Sequence, residues 1–454
     1  MDIAERRERL RGVVHAYPHN LMEVLLEKWN AGQAEFVSAT ESIEVGQIPD
    51  SEVLERLIST CYQTSILLEE ERPLRFRLIL REPEKLAAED GPPDGLHRLI
   101  FSEPRLFNEY ELRKLAPAVD YSRSLIGAKV IDDGELQIWG LIHSGWRWVQ
   151  AIRGGGQEYA PLPESLVLYV TGPGDIVVCK GSAMIAMLKG GKIFTPAKSV
   201  FNSRWVSDRE AYMELWDLHE DARLRAEGRW ALLERTFPNM IARQVTKRVI
   251  SIIRNSHHGG TIVSLSPEVA SEVGSENPYL NIKYLFREEE PRNRFRTLLI
   301  KLMNSLAESY GGARRDDRAV GWKEYVASKN DVLAQLDEAV LEYAHFIAGL
   351  TAVDGAVILS QKHELIGFGG VILESLNKVN LVARSLDPEG DVTELEQVDA
   401  VGMRHRAVYH LCNELHDTVA MVISQDGDVD VVKWKNGIVT VWNVSPYPHF
   451  TELW

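Results

Sequence analysis

The sequence contains few cysteines and no long apolar run. Its three cysteines, Cys61, Cys179 and Cys412, are scattered, and none forms a Cys-x-x-Cys pair, so neither a zinc site nor a disulfide framework is indicated. No stretch approaches the roughly 20 apolar residues that a membrane helix needs. The charged residues 1–7 lack the apolar segment of a signal peptide. These absences predict a cytoplasmic protein that has no membrane partner.

Positive charge is also scarce. The formal net charge is −15, and residues 331–454 hold 7 Lys plus Arg against 19 Asp plus Glu, a net charge of −12. Because long nucleic acid is bound through many contacts between basic side chains and phosphates, this composition argues against such a partner. A single nucleotide stays compatible, since a metal ion and a few arginines can balance its charge.

The length and the patterning together predict a mixed α/β protein of several domains. The 454 residues exceed the usual size of one hydrophobic core. We divide the chain into an α/β region with a strand at 75–81, a β-rich module that is the probable sensor, a mainly helical region with one strand at 261–265, and a mixed-sheet α/β domain. These regions span residues 1–123, 124–204, 205–330 and 331–454.

In two regions, polar and apolar residues recur regularly enough to predict individual helices and strands. In the β-rich module, strands are predicted at 124–131, 135–143, 146–152, 165–170, 175–179 and 183–188. In the last region, helices are predicted at 336–350 and 404–415, strands at 352–360, 365–373, 418–424, 429–434 and 438–444, and a polar acidic stretch runs to residue 399.

The triplet Asp354-Gly355-Ala356 is the first candidate for chemistry. A buried strand rarely carries an unpaired carboxylate, because desolvating the charge is costly. Asp354 is therefore a candidate metal ligand or proton acceptor, and the small Gly355 and Ala356 would let a ligand approach the backbone. The alternative is an aspartate that caps a turn where the strand begins.

The run Gly402-Met403-Arg404-His405-Arg406 is the second candidate, at the predicted start of a helix. Arginine suits bidentate phosphate contacts, and the amides at a helix N-terminus favour anions. His405 can ligate a metal or hold a phosphate oxygen. The alternative is a solvated basic first turn, although the helix dipole prefers acidic residues at that end.

A strand rich in glycine lies between these two motifs. Gly367, Gly369 and Gly370 fall within the predicted strand 365–373. Glycine weakens a strand unless another group approaches it closely. A nucleotide base or phosphate would be such a group, and a β-bulge explains the pattern equally well.

The ordered set of motifs resembles the diadenylate cyclase (DAC) family, which makes cyclic di-AMP from two ATP molecules. The resemblance covers roughly residues 330–454. It implies that Asp354 is catalytic and that Asp354 and His405 hold Mg²⁺ or Mn²⁺. The residues that it implies for ATP binding are Gly355, Ala356, Gly369, Gly402, Met403, Arg404, His405 and Arg406.

Further upstream, four short segments look like the sensor region that precedes some DAC domains. No ligand of that sensor is implied. The segments are residues 112–118, 138–141, 172–174 and 258–261.

The resemblance also implies how such a domain acts. Two catalytic domains of a homo-oligomer would face each other, each holding one ATP. The 3′-hydroxyl of each ATP would attack the α-phosphorus of the other, releasing two pyrophosphates. Control of this geometry by the N-terminal region is our hypothesis for regulation.

Two positions depart from the family pattern. Met403 stands where the family has threonine, and Gln425, in Ser424-Gln425-Asp426, stands where it has glutamate. Two alternatives therefore stay open. One is a nucleotide-binding sensor that is catalytically weak or inactive, and the other is a cyclase that makes a different cyclic or linear oligonucleotide.

Overall fold

The structure is a computed structural model of the chain. Among its described residues, two compact units form, one between residues 15 and 195 and the other between residues 200 and 444. The predicted strand at 146–152 and the turn residue Asp426 lie outside the described residues. Those residues are 15–29, 48–86, 91, 96–121, 123–131, 133–145, 164–181, 183–195, 200–207, 212–256, 258–273, 277–312, 319–328, 330–373, 375–398, 401–425 and 427–444.

The first unit is built on a sheet with eight strands among its described residues, in the order β10-β9-β8-β7-β3-β5-β6-β4. Only β3 and β5 run parallel within that set, and β1 and β2 form a separate hairpin. The strands are β1 (Leu68–Glu69), β2 (Arg72–Pro73), β3 (Phe76–Leu80), β4 (His97–Leu106), β5 (Ser124–Val130), β6 (Leu136–His143), β7 (Leu166–Gly172), β8 (Asp175–Lys180), β9 (Ala183–Lys189) and β10 (Lys192–Phe194).

Among the described residues, the helices α1 (Pro18–Trp29), α2 (Ser51–Ile66) and α3 (Glu109–Leu115) pack on this sheet. Their buried side chains, among them Leu25, Leu57 and Leu112, share one core with Leu78 and Leu168 of the strands. Helix α3 begins directly after Asn108, which caps it, since the side chain of Asn108 accepts a hydrogen bond from the Glu111 amide at 2.9 Å.

The second unit is built on a sheet with nine strands in the described part of the chain, in the order β12-β14-β13-β11-β17-β18-β19-β15-β16. The strands are β11 (Gly260–Leu265), β12 (Leu280–Leu285), β13 (Ala356–Ser360), β14 (Leu365–Ile372), β15 (Leu381–Ser385), β16 (Thr393–Gln397), β17 (Val419–Ile423), β18 (Val429–Lys435) and β19 (Ile438–Val444). The helices are α4 (Arg204–Ser207), α5 (Met213–Arg225), α6 (Phe237–Ser256), α7 (Pro267–Ser271), α8 (Glu289–Arg292), α9 (Arg294–Ser309), α10 (Trp322–Val326), α11 (Asp331–Leu350) and α12 (Met403–Glu414).

Alternation along the strands gives this sheet two apolar faces. Ile262 packs in a core with helices α6, α9 and α11, whereas its neighbour Val263 packs in a second core with α12. Helix α11 is capped by Asn330, whose side chain accepts hydrogen bonds from the amides of Val332 and Leu333 at 2.9 and 3.2 Å. The sheet is thus covered by helices on both faces.

Strand β11 occupies the middle of this sheet. It runs parallel to β13 on one side and antiparallel to β17 on the other. The regions 205–330 and 331–454 therefore share one sheet, just as 1–123 and 124–204 share the other. The predicted mixed α/β class is confirmed, and no helix within the described residues combines the length and apolarity needed to cross a bilayer.

Two features of the second unit differ from the sequence prediction. Strand β13 begins at Ala356 rather than at 352, because residues 351–355 form the turns and bends that follow helix α11, and Gly355 among them has a φ of +107°. The acidic stretch contains the hairpin of β15 and β16. Strand β16 is mostly exposed, so its residues lack the apolar alternation by which a strand is recognised.

The conformation of Gly355 generates a stability prediction. Substitution Gly355→Ala adds a methyl group where backbone atoms of Gly369 and Gly370 lie within 3.0 Å, at a positive φ. We expect the free energy of unfolding to fall by about 1–3 kcal/mol. Chemical denaturation followed by circular dichroism measures it.

The matched control is Gly349→Ala in helix α11. No atom lies within 4 Å of the added Cβ at Gly349. This substitution should leave stability unchanged or raise it by up to about 1 kcal/mol. Equal effects of the two substitutions would contradict the structural account of Gly355.

Candidate functional site

Several chain segments meet where the central strands of the nine-stranded sheet begin or end. This border of the sheet, formed by the starts of β11, β13 and β18 and the ends of β14 and β17, is called the sheet edge. Strand β13 begins beside the start of β11, and its first residue, Ala356, pairs with Gly370 near the end of β14. On the other side of β11, Gly260 pairs with Ile423 at the end of β17, which in turn pairs with Val429 at the start of β18. The Asp-Gly-Ala motif, the glycine strand and the loop after β17 therefore share this edge.

Asp354 lies in the bend just before β13 and is exposed. Its carboxylate has no hydrogen-bond or ion-pair partner among the described residues. The desolvation argument made from the sequence is therefore wrong, because this carboxylate stays in contact with solvent. Exposure leaves it available to an incoming ligand.

The glycines beside Asp354 are explained by contact between two strands. A Cβ on Gly355 would lie 2.8 Å from the carbonyl carbon of Gly369, and Gly369 itself has a φ of +66°. The register of β13 against β14 shifts at Ala356 and Ile358, which is the bulge that the sequence left as one of two explanations. The backbone of β14, rather than a ligand, makes the close approach at Gly355.

The start of helix α12 is open to solvent. Its N-cap residue, Gly402, has no side chain, and no side chain caps the first turn. Met403 is 82% exposed, and Arg404 and Arg406 are exposed as well. Uncapped amides and two guanidinium groups therefore lie together, as an anion-binding site requires.

Arg404 links this helix to the strand edge. Its Nη1 atom lies 2.9 Å from the position that a Cβ of Gly259 would occupy, at the start of β11. The other atoms nearest to that position are the Ile423 carbonyl oxygen and the Gln425 amide nitrogen, so Arg404 lies where the start of β11 meets the end of β17. Arg406 instead donates a hydrogen bond from Nε to the Val401 carbonyl at 3.1 Å.

His405 is held in place by Asp430 of β18. The distance from His405 Nε2 to Asp430 Oδ2 is 3.1 Å, and the two side chains are 21% and 14% exposed. The other oxygen of Asp430 accepts a hydrogen bond from Asn443 Nδ2 at 2.9 Å. A carboxylate that is fixed at both oxygens orients the imidazole, and Nδ1 of His405 keeps no partner among the described residues.

A polar cluster surrounds Asp430 on the α12 face of the sheet. Arg384 Nε donates to Glu396 at 2.6 Å, and this hydrogen bond, together with the charges of Glu396 and Asp430, raises the pKa of Arg384. Burial raises the pKa of Tyr409, and the charge of Asp430 adds to the effect. The charge of Asp430 thus acts on groups from two structural elements, β15 and α12.

The chain does not form a metal cage of its own in the part that is described. No three His, Cys, Asp or Glu side chains cluster there at distances suited to a metal ion. Mg²⁺ is often bound by one or two carboxylates, with substrate phosphates supplying further oxygens. An exposed carboxylate without a partner, as at Asp354, fits that donor set.

The structure brings the predicted site residues to one region of the second unit. All of them lie at this sheet edge or in the first turn of α12. Residues 258–261, which resemble part of the sensor region, lie instead at the start of β11 in the second unit.

Sequence reasoning missed Asp430 and Asn443. The signal for Asp430 was an acidic residue within the apolar run of β18, between Val429 and Val431. Alternation along the strand places it on the face that packs against α12. Its partner His405, 25 residues earlier, cannot be identified from that pattern.

Comparison with known proteins finds one matching family. Residues 43–143 match the family described as the probable sensor domain DACNV, the N-terminal sensor of DAC proteins. The match includes residues 112–118 and 138–141 and ends before 172–174. Neither a curated protein nor a solved structure matches the chain. The first unit therefore contains a segment similar to a DAC-associated sensor domain.

The contacts of Asp430 generate a second stability prediction. Substitution Asp430→Ala leaves the His405 ring nitrogen without its partner in a partly buried place, and it removes the acceptor of the exposed Asn443 amide. We expect a loss of about 1–2 kcal/mol in the free energy of unfolding. Urea denaturation at pH 7 measures it.

Asp428→Ala is the control for this measurement. Asp428 is an exposed aspartate two residues earlier, at the turn before β18. Its substitution should change stability by no more than about 0.5 kcal/mol. A loss as large as that of Asp430→Ala would mean that the pairing with His405 contributes little.

Proposed function

We propose that the second unit is a diadenylate cyclase, which condenses two ATP into cyclic di-AMP and two pyrophosphates. The observation that supports it most is the convergence of Asp354, the glycine strand and the uncapped Arg404-His405-Arg406 turn at one sheet edge. The similarity of residues 43–143 to a sensor domain of DAC proteins agrees with this function.

In this proposal the triphosphate lies at the start of α12. The amides of the first turn and the guanidinium groups of Arg404 and Arg406 hold its oxygens. A run of this kind is unusual in a region whose net charge is −12. Local positive charge of this sort is what a single nucleotide needs, and it is too small to bind a long nucleic acid.

Asp354 and His405 are the residues that would hold Mg²⁺ or Mn²⁺. When bound, the ion neutralises the charge that builds on phosphate oxygens during displacement. Asp430 orients the imidazole of His405 through its contact with Nε2. Because the ring is held in this way, Nδ1 points in a fixed direction. Asp354 precedes β13 and His405 is held at β18, with β11 and β17 between these strands, so phosphate oxygens of the nucleotide would have to complete the coordination.

The reaction follows from two such sites facing each other. The 3′-oxygen of one ATP forms a bond to the α-phosphorus of the other, and the bond from that phosphorus to the β-phosphate oxygen breaks. Pyrophosphate leaves, and the proton of the hydroxyl passes to Asp354. The same step with the roles exchanged closes the ring, so that a homo-oligomer with face-to-face catalytic domains is required.

A nucleotide-binding sensor without turnover is the second candidate. Met403 and Gln425, both exposed at this edge, replace a hydroxyl and a carboxylate of the family pattern. Either loss weakens contacts that a transition state needs more than ground-state binding does.

The product assay tests the proposed reaction. Full-length protein is incubated with ATP and Mn²⁺, and the products are analysed by mass spectrometry. We expect cyclic di-AMP and pyrophosphate, and a rate at least about 100-fold lower for Asp354→Asn, because the proton acceptor is lost. Asp221→Asn, a change in an exposed surface ion pair of α5, should leave the rate unchanged.

Three other results would change the conclusion. ATP binding with no cyclic product at any protein concentration would support the second candidate, a nucleotide-binding sensor without turnover. A product of another mass would indicate a different cyclase. Full activity in Asp354→Asn would remove Asp354 from the mechanism.

Regulation by the first unit is tested through concentration dependence. Because one active site needs two chains, activity per chain should rise with protein concentration. A fragment that starts at residue 197 keeps β11 to β19, and its activity should depend on concentration differently from that of the full chain. Identical curves of activity against protein concentration for the fragment and the full chain would contradict control by the first unit. The ligand of its sensor segment is unknown.

A further inference from the structure

A cavity of about 110 Å³ lies within the second unit, on the face of the sheet opposite helix α12. Side chains from β11, β17 and β18 form one wall, and side chains from α4, α6 and α11 form the other. Its lining includes Ile262, Met421, Val431, Ala242, Tyr343 and Trp205. The wall is therefore mainly apolar.

Two hydrogen-bond donors on this wall lack acceptors. Tyr343 Oη and Trp205 Nε1 are buried, and neither atom has a hydrogen-bond partner among the described residues. By contrast, Tyr212 Oη is paired with His363 Nδ1 at 3.1 Å, and Thr246 Oγ1 donates to the Ala242 carbonyl at 3.0 Å. Leaving a buried donor unpaired costs free energy, so these two donors need an explanation.

The hydroxyl of Tyr343 stays protonated under ordinary conditions. The side chain is 7% exposed, and burial raises the pKa of its phenol. The indole nitrogen of Trp205 is always a donor. Both groups therefore require an acceptor, and an uncharged oxygen on a mainly apolar molecule matches the mainly apolar lining.

We propose that this cavity is a binding site for a small, neutral, mainly apolar aromatic molecule that carries an acceptor oxygen. The volume is comparable to that of engineered cavities of about 150 Å³, which bind benzene. A phenolic or carbonyl oxygen accepts from Tyr343 or Trp205, and the ring fills the apolar part of the space. The site lies on the face opposite His405, and its binding does not depend on the proposed cyclase reaction.

The test compares phenol with benzene as probes of the full-length protein. Calorimetric titration gives both affinities, and thermal unfolding gives the stabilisation by each probe. We expect saturable binding of both, with phenol bound about two- to tenfold more tightly, because it gains one hydrogen bond. Buffer-matched titrations with cyclohexanol separate the contribution of the ring from that of the oxygen.

Two variants assign the binding to this cavity. Tyr343→Phe removes a hydroxyl that has no partner, so the fold should persist while the advantage of phenol over benzene falls. Ala242→Phe fills the space from α6 and should abolish binding of both probes. If the phenylalanine at position 242 prevents folding, Tyr343→Phe still tests whether phenol binds in this cavity.

Absence of saturable binding of either probe to the wild type would overturn the proposal. Undiminished binding to a folded Ala242→Phe variant would place the probes elsewhere and would overturn it as well. An unchanged phenol preference in Tyr343→Phe would remove the assigned role of that hydroxyl.

Discussion

The placement of β11 between β13 and β17 is the constraint on which the rest of the second unit depends. Both edges of β11 are hydrogen-bonded, parallel to β13 and antiparallel to β17, so its buried backbone groups are satisfied only in this position. The same pairing sets the start of β13 and the end of β17 on opposite sides of the start of β11. Asp354 and the first turn of α12 are therefore brought to one edge by strand pairing and not by any direct contact between the motifs.

The distribution of charge follows from the two faces of this sheet. Along β18, Asp430 faces α12 while Val431 faces the helices on the opposite side. A single strand thus supplies the carboxylate that orients His405 and a wall of the apolar cavity. Because successive side chains of a strand point to opposite faces, β18 serves both the Asp430–His405 pair and the apolar cavity and still keeps them apart.

Local patterning was sufficient for elements that bury one side. The helices α11 and α12 and the strands β17, β18 and β19 were predicted to within a few residues, because each presents a regular apolar face. The pair β15 and β16 was missed, since β16 is mostly exposed and β15 buries two adjacent residues, Val382 and Ala383, so that neither strand shows the alternation of a half-buried strand. The start of β13 was placed too early because a positive φ at Gly355 leaves no mark in a hydrophobic pattern.

The sequence by itself determined the elements that have a regular apolar face, the scarcity of positive charge, and the presence of a carboxylate motif and a basic helix start in a fixed order. Only the tertiary structure decided that these motifs share an edge, that Asp430 orients His405, and that β14 explains the glycines beside Asp354. The physical reason is the separation along the chain. Gly260 pairs with Ile423, more than 160 residues later, and periodicity within a short window carries no information about which distant strand will complete a ladder.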